Sequence, residues 1–309
     1  MTAFWSPDLP VSEWRGVSTR LVDSVERVVG VCLSNVTDEL NIGLSGDYFG
    51  MLTCLESLAL DHNDKVHGTI MEIWAPTLTS LNLSSSPKLM GSVRDMKNFP
   101  NLVRLRLDHM PMVTGSITHM NLRLLQELNL SHTKVTGSIA DLGVSRDSLR
   151  RVSLAACTGI TGNLDEDLDL PLVEELDLAS TGVGGGFKAI ARSPKLYKLN
   201  LSNTSVAGNL SELSGLTLLT HLYLDGTATC GAIKSLAPLQ SLRSADMDFT
   251  RVEATRKEMA AFRKCHPGAV MLVRQALPTP LTDRSSRSNR SSRSNQSVKS
   301  TLSKGRWPY

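Results

Sequence analysis

The stretch "LQELNLSHTKVTGSI", residues 125–139, decides the fold of this chain. Its leucines follow the order L-x-x-L-x-L, and a threonine, a valine, a glycine and an isoleucine follow at fixed offsets. Neither the period of a helix nor simple strand alternation explains that spacing across the whole segment. The pattern returns every 23 or 24 residues, with weaker copies from Val28 and Leu242, and a period this short and regular predicts a solenoid. The eight clear copies begin at Leu55, Leu78, Leu102, Leu125, Leu149, Val173, Leu196 and Leu219.

Each copy can be interpreted as one coil. Strand side chains alternate, so L-x-x-L-x-L directs its apolar residues inward from a short strand and the intervening residues outward. A threonine usually follows, and its small hydroxyl can bond turn backbone that would otherwise be unpaired. The glycine suits a tight backbone position on the far side of the coil. A single coil cannot bury enough apolar surface to fold alone, so neighbouring coils must share a core. The threonines are Thr133, Thr181, Thr204, Thr227 and Thr250, and the glycines are Gly68, Gly91, Gly115, Gly137, Gly162, Gly185, Gly208 and Gly231.

The pattern L-x-x-L-x-L-x-x-T-x-V-x-G-x-I resembles the leucine-rich repeat, in the plant-type and related bacterial and algal subclass that G-x-I marks. The segment "SEWRGVSTRLVDSVERVVGVCLSN", residues 12–35, is similar to the N-terminal cap of such proteins. Secreted plant members carry a cysteine after W-x-G-V, whereas Ser18 stands there in this chain, so the resemblance implies an intracellular variant without the cap disulfide. It also implies a right-handed α/β solenoid of about ten coils with a parallel sheet on its concave face. Proteins of this family usually bind other proteins and sometimes small ligands.

The sequence divides into four segments. We expect an N-terminal cap over residues 1–27 and the repeat solenoid over 28–250. A C-terminal cap follows over 251–276, with an amphipathic helix over 253–265 and an edge strand over 269–273. Residues 277–309 are rich in serine and arginine and are predicted to be disordered.

Charge is distributed unevenly between the body and the tail. The net charge is +3, but the seven basic residues and one acidic residue from 275 onward give that segment +6, which leaves −3 for the rest. Arginine recurs every third residue at 284, 287, 290 and 293, each time followed by serine. Three interpretations stay open for this tail: a solubilising segment, a switch for a basophilic kinase, or weak binding to nucleic acid or an anionic membrane. The kinase interpretation predicts phosphorylation at Ser288, Ser291 and Ser294.

The sequence favours a cytoplasmic protein. Its first residues lack a basic segment followed by an apolar run, so we expect no secretory signal. We also expect no membrane span, because no stretch of about 18 apolar residues occurs. The five cysteines are scattered and odd in number, which is typical of free thiols in a reducing compartment.

A protein partner is predicted to bind the concave face of the sheet. The outward strand positions there are polar, with both signs of charge interleaved, and Arg104, Arg106 and Arg151 form a predicted basic patch beside acidic residues. Outward positions must be polar on any solvated solenoid, so the convex side, the tail or no stable partner remain alternatives. The predicted contact residues are Arg104, Arg106, His109, Glu127, His132, Arg151, Glu175, Asp177, Lys198, His221 and Tyr223.

The sequence argues against an enzyme and against a cofactor. His109 and His132 lie on adjacent coils and could approach a metal ion with Asp108, but no further ligand is fixed by spacing, so solvated histidines and no metal are predicted. The glycine-rich segment 180–187 falls in a turn of the repeat rather than before a helix, which argues against a phosphate loop. The sequence predicts a non-enzymatic scaffold or adaptor that the tail regulates. The alternative is a peptide- or ligand-sensing module related to plant-type receptor ectodomains, acting in signalling.

Overall fold

The computed structural model describes residues 8–36, 43–44 and 49–274. Within them the chain forms the predicted solenoid, in which each coil contributes one strand to a long sheet of twelve strands. Neighbours in this sheet follow one another along the chain, and all pairs are parallel except the first. Its strands are Val17–Val22, Val25–Cys32, Ser57–Ala59, Ser80–Asn82, Arg104–Arg106, Glu127–Asn129, Arg151–Ser153, Glu175–Asp177, Lys198–Asn200, His221–Tyr223, Ser244–Asp246 and Val270–Leu272.

The register of the long sheet explains the leucine spacing. Each three-residue strand pairs with the next so that the central apolar residues align, as in Leu58 opposite Leu81 and Leu105 opposite Leu128. These central side chains point into the core, and Leu128 is only 2% exposed. Burying one such leucine stabilises the fold by about 2 kcal/mol, so the repeat encodes a continuous column of inward leucines.

A second sheet of seven parallel strands lies on the G-x-I side of the coils, followed by a separate strand pair. Short turns of 3-10 helix follow most of these strands, and the short α-helix Leu164–Asp167 follows Gly159–Asn163. The residue between glycine and isoleucine caps the turn: Ser138 accepts a hydrogen bond from the backbone N–H of Ala140, and the Asp141 carboxylate accepts one from the N–H of Ser138. The seven strands are Gly68–Thr69, Leu89–Ser92, Val113–Ser116, Lys134–Ser138, Gly159–Asn163, Gly182–Gly185 and Ser205–Val206, and the separate pair is Cys230–Ala232 with Arg251–Glu253.

Two physical causes explain why glycine recurs at the same position of the coils. Gly137 has a φ of 128°, a backbone conformation that side chains disfavour. Gly208 has no left-handed backbone, but a Cβ there would lie 2.3 Å from the Phe187 ring. The far side of the coil therefore requires glycine either for backbone conformation or for close packing between coils.

The buried threonines bond the turn backbone, as the sequence predicts. Thr204 Oγ1 donates to the carbonyl oxygen of Leu201 at 2.6 Å, and Thr133 does the same to Leu130 at 2.7 Å. Cys157 occupies the equivalent position in its coil, and its Sγ donates across to Leu130 O at 2.9 Å. A polar group in each of these turns therefore satisfies a carbonyl that the core would otherwise leave unpaired.

Two elements close the ends of the long sheet. The hairpin Val17–Val22 and Val25–Cys32 pairs antiparallel at one end. At the other end lie the helix Arg256–Cys265 and the final strand Val270–Leu272. The predicted helix start at residue 253 is wrong, because Arg251–Glu253 pairs as a strand and the Thr255 side chain caps the helix with Glu258.

The chain separates into two units, Met1–Ala276 and Leu277–Tyr309. The predicted disordered tail, with Ser288, Ser291 and Ser294, lies outside the described residues. Among the described residues, no helix is both long and apolar enough to cross a lipid bilayer.

Candidate functional site

The candidate site is the open face of the long sheet, which we define as the outward side chains of its parallel strands together with the second and third residues after each strand. Because the register is the same from coil to coil, equivalent side chains stand side by side in columns. The eleven predicted contact residues all lie in this face. The first strand positions are Ser57, Ser80, Arg104, Glu127, Arg151, Glu175, Lys198, His221, Ser244 and Val270, and the third are Ala59, Asn82, Arg106, Asn129, Ser153, Asp177, Asn200, Tyr223, Asp246 and Leu272.

Charges alternate along the middle of the first column. Arg104, Glu127, Arg151, Glu175 and Lys198 occupy five successive strands in that order. Arg151 Nη2 lies 3.4 Å from Glu127 Oε2, and Lys198 Nζ lies 3.9 Å from Glu175 Oε2. Opposite charges directly across a strand pair stabilise a sheet, whereas like charges would destabilise it. The charges at the centre of the open face are therefore largely compensated by one another.

The predicted basic patch is weaker than the sequence suggests. Arg106 Nε lies 3.9 Å from carboxylate oxygens of both Asp108 and Glu127, so this arginine is already partly compensated. Arg151 also shares Glu127. Among the described residues, Arg104 has no carboxylate within 4.0 Å, and it is exposed. Arg104 is therefore the arginine of this face that is most available to a partner's carboxylate.

A shallow depression of about 320 Å³ lies over this part of the face. Its walls include Glu175, which accepts a hydrogen bond from the Tyr197 hydroxyl. Burial and this bond raise the pKa of Tyr197 to about 12. Burial also raises the pKa of the Asp177 carboxyl, whose Oδ1 accepts the backbone N–H of Ala179 at 3.1 Å. These groups are fixed by local bonds, and the arrangement offers polar recognition in a wide, open site.

The two predicted histidines are stacked. The rings of His109 and His132 lie 4.4 Å apart between centroids, with 14° between their planes. Nitrogen lone pairs lie in the ring plane, so two parallel rings cannot both direct one toward the same metal ion. His62 is separated from them by the coil that carries Ser85, and its Nδ1 lies 3.0 Å from its neighbour Asp61. Burial, and then the His109 ring, lower the pKa of His132.

The third residue after each strand of the long sheet from Val25–Cys32 to Ser244–Asp246 has a left-handed backbone, which the sequence analysis did not predict. Ten coils share a φ between 55° and 67° there. Asparagine and histidine tolerate this conformation better than large apolar residues do, so Phe249 is an outlier in the column. The residues are Asn35, His62, Ser85, His109, His132, Ala156, Ser180, Asn203, Gly226 and Phe249.

The glycine-rich segment 180–187 binds carboxylates of this chain. The backbone N–H groups of Gly186 and Lys188 donate to Asp165 at 2.9 Å each, and that of Phe187 donates to Glu212 at 3.0 Å. These three amides therefore already have acceptors within the chain. The segment joins neighbouring coils and is not a free anion site.

The far end of the open face has a different chemistry. Val270 is 62% exposed and Leu272 is 38% exposed, where earlier strands carry polar or charged residues at most of these positions. Phe249 is 63% exposed. Asp246 and Asp248 lie between these residues and Tyr223. This end therefore combines exposed apolar side chains with acidic groups.

Comparisons with known proteins identify the fold. No protein-family model and no curated protein matches this chain. Its fold is similar to the leucine-rich repeat ectodomain of the plant membrane receptor kinase GASSHO1/SCHENGEN3 from Arabidopsis thaliana, solved in complex with CASPARIAN STRIP INTEGRITY FACTOR 2. The TM-score is 0.65 and the identity 23%, over 88% of this chain and 32% of that one. The described structure is therefore an α/β solenoid of the leucine-rich repeat class.

Two other solved plant proteins share the fold. The peptide hormone receptor RGFR1, in complex with RGF2, matches with a TM-score of 0.62 and 21% identity, over 76% of this chain and 42% of that one. An ice-binding protein matches with a TM-score of 0.58 and 18% identity, over 90% of this chain and 93% of that one. This chain spans less than half the length of either receptor ectodomain.

Proposed function

We propose that this protein is a non-enzymatic scaffold or adaptor that binds a partner protein through the open face of the long sheet. The observation that carries the proposal is the columnar order of that face, which presents fixed charges and hydrogen-bonding groups on ten successive parallel coils. Charge patterns of this kind give register and specificity to a protein interface. Arg104, Arg106, His109, Glu127, His132, Arg151, Glu175, Asp177, Lys198, His221 and Tyr223 are the proposed contact residues.

Reversing a single charge tests this proposal. Arg104→Glu changes an exposed arginine that has no ion pair in the described part of the chain, so it breaks no ion pair there. It does place a like charge opposite Glu127, which costs about 1 kcal/mol or less and is too small to unfold the coil. Arg94→Glu makes the same change in the 3-10 turn Val93–Asn98, away from the long sheet. Affinity purification with the full chain should lose its partner with Arg104→Glu and keep it with Arg94→Glu, while circular dichroism stays the same for both. Equal partner recovery with both variants would refute the assignment of the open face.

A peptide-sensing module is the second candidate. The receptor RGFR1 was solved in complex with RGF2, and its fold is similar to that of this chain. The two candidates differ in the expected environment. A scaffold in the cytoplasm should contain five free thiols and no glycan. The five cysteines lie unpaired in the structure, which supports the scaffold. Mass spectrometry of the purified native protein would favour the sensor if it found N-glycans or disulfides.

We also propose that a basophilic kinase regulates binding through Ser288, Ser291 and Ser294. Each of these serines has an arginine directly before it and another four residues before it, and each phosphate adds nearly two negative charges to a segment of net charge +6. Partner affinity of the kinase-treated chain should differ from that of the untreated chain. A variant with all three serines replaced by alanine should bind the partner with the same affinity before and after kinase treatment. If kinase treatment changes the affinity of this variant as much as that of the natural sequence, the proposal is contradicted.

A further inference from the structure

The C-terminal end of the open face carries three carboxylates in two adjacent columns. Asp246 is the third residue of its strand, and Asp225 and Asp248 follow the strands of two neighbouring coils. Burial raises the pKa of Asp246, and the charges of Asp225 and Asp248 raise it further, while the hydrogen bond from the Asp248 N–H and the charge of Arg274 oppose the rise. Crowding of this kind favours a nearby cation, because a positive group would relieve both the repulsion and the desolvation.

Asp248 and Asp225 use both of their carboxylate oxygens in contacts within the chain. Asp248 Oδ1 accepts the backbone N–H of Arg274 at 2.6 Å, and its Oδ2 lies 3.6 Å from Nε of that arginine. Asp225 accepts hydrogen bonds from the Ser202 hydroxyl and from Asn203 Nδ2. The contact between Arg274 and Asp248 therefore shows that a carboxylate on this part of the sheet can bind an arginine side chain.

Within the described part of the chain, Asp246 has fewer hydrogen bonds and ion pairs than its two neighbours. Its Oδ1 accepts the backbone N–H of Asp248 at 3.0 Å. Like Asp225, it has no basic nitrogen within 4.0 Å in the described segments, but the two oxygens of Asp225 each accept a hydrogen bond from a side chain. Asp246 is therefore the carboxylate of the three that is most available to the cation of a partner.

Some of the neighbours of this carboxylate are aromatic or apolar. Tyr223 and Leu272 stand on either side of Asp246 in the same column, and Val270 lies beside them in the first column. Phe249 is exposed although its left-handed backbone is unfavourable for a large aromatic residue. An exposed aromatic residue held at such a backbone position is more readily explained by recognition than by stability.

A second copy of this chain fits this end poorly. The free edge is a strand of only three residues, Val270–Leu272, and stable interfaces bury about 1,200 Å² or more. A patch that paired with itself across a two-fold axis would also bring two copies of the same acidic cluster into one interface. A partner with a positive charge between apolar side chains matches the surface on both counts.

We propose that this end of the open face binds an extended peptide segment of a partner, with a lysine or arginine against Asp246 and aliphatic side chains against Leu272, Val270 and Phe249. In an extended segment alternate side chains share one face, so a basic residue flanked two positions away by aliphatic residues presents all three groups to the sheet. This inference rests on the proposed protein-binding function and narrows it to one end of the face and one ligand chemistry.

Synthetic peptides test the inference with the purified full chain. The probe is a fluorescein-labelled heptapeptide with a central lysine, leucine at its second and sixth positions, and serine elsewhere. Matched peptides replace the lysine by glutamate or both leucines by serine. Fluorescence anisotropy should show that the lysine–leucine peptide binds more tightly than either matched peptide.

Variants of the protein locate the contact. Asp246→Asn should weaken binding of the lysine–leucine peptide by about fivefold, the value expected for loss of one partly exposed ion pair. Asp61→Asn, at the other end of the same face, should leave binding unchanged. Phe249→Ser should weaken the lysine–leucine peptide and leave the serine-substituted peptide unaffected. Circular dichroism of each variant shows whether the fold is kept.

Several results would overturn the inference. These are no binding of any peptide, equal binding of the lysine and glutamate peptides, or equal effects of the two aspartate substitutions. A dimer in sedimentation velocity that Val270→Ser dissociates would assign the patch to a second copy instead. If Arg104→Glu still abolishes partner recovery while the peptides fail to bind, the general function stands and only this subsite is wrong.

Discussion

Replacing Thr204 by valine isolates the contribution of the buried hydroxyl that recurs in the coils. The side chain of Thr204 is 8% exposed, and its Oγ1 donates to the Leu201 carbonyl oxygen at 2.6 Å. Valine has nearly the same shape, so the substitution creates no cavity and removes only this donor. A buried carbonyl that loses its partner costs about 1–3 kcal/mol, and we expect the free energy of unfolding to fall by about 2 kcal/mol.

Urea denaturation followed by far-UV circular dichroism measures this difference, with linear extrapolation to water. Thr114→Val is the matched control, because Thr114 is exposed on the second sheet and strand positions tolerate valine well. We expect the control to change the free energy of unfolding by less than about 0.5 kcal/mol. If Thr204→Val is as stable as the unsubstituted protein, or if both variants lose stability equally, the buried hydroxyl does not have the role that the structure indicates.

Further predictions concern titration, thiol reactivity and the core. Burial and the stacked His109 ring lower the pKa of His132, so NMR titration should show it protonating at lower pH than an exposed histidine, and His109→Ala should raise that pKa. The stability that the lowered His132 pKa contributes is fully present above pH 6.5, the ordinary histidine value, and is lost as the pH falls. An unchanged His132 pKa in the His109→Ala variant would contradict the reasoning. The phenol of Tyr197 should ionise near pH 12 in ultraviolet difference spectra recorded against Tyr197→Phe. Its contribution to stability is present below pH 10 and is lost as the pH rises through about 12. Ionisation near pH 10 would contradict the hydrogen bond from Tyr197 to Glu175. Burial raises the pKa of the Cys157 thiol, so a thiol reagent should modify it only after unfolding, and immediate reaction in the native protein would be inconsistent with its burial. Leu128→Asp should abolish the native circular dichroism spectrum, because it places an unpaired charge at a core position that is 2% exposed, whereas a native spectrum would show that the position is not core.

The fold could be predicted from the sequence because every coil repeats the same local instruction. The leucine order of residues 125–139 determines which side chains face inward, and the repeat length determines how coils stack. The buried threonine could be identified for the same reason, since it recurs at a fixed offset from the leucines. The boundary near residue 253 could not, because its strand forms only by pairing with Cys230–Ala232 of another coil.

Placement of the candidate site residues on one face could also be predicted, since outward positions follow directly from strand alternation. Their electrostatic state could not. The sequence presents Arg104, Arg106 and Arg151 as equivalent basic residues, yet two of them have carboxylates within 4.0 Å. Ion pairing depends on side-chain geometry between neighbouring coils, which lie more than twenty residues apart in the chain.

The sequence by itself therefore determined the repeating coil, its inward leucines and the columns of outward positions, because a periodic pattern specifies the same strand register many times over. Only the tertiary structure decided which charges neutralise one another, that His109 and His132 stack, and that Asp246 lies between Tyr223 and Leu272 with no basic nitrogen within 4.0 Å in the described residues. Those properties arise where side chains of different coils meet, and distances of a few ångströms between them are not encoded in the spacing of any one repeat.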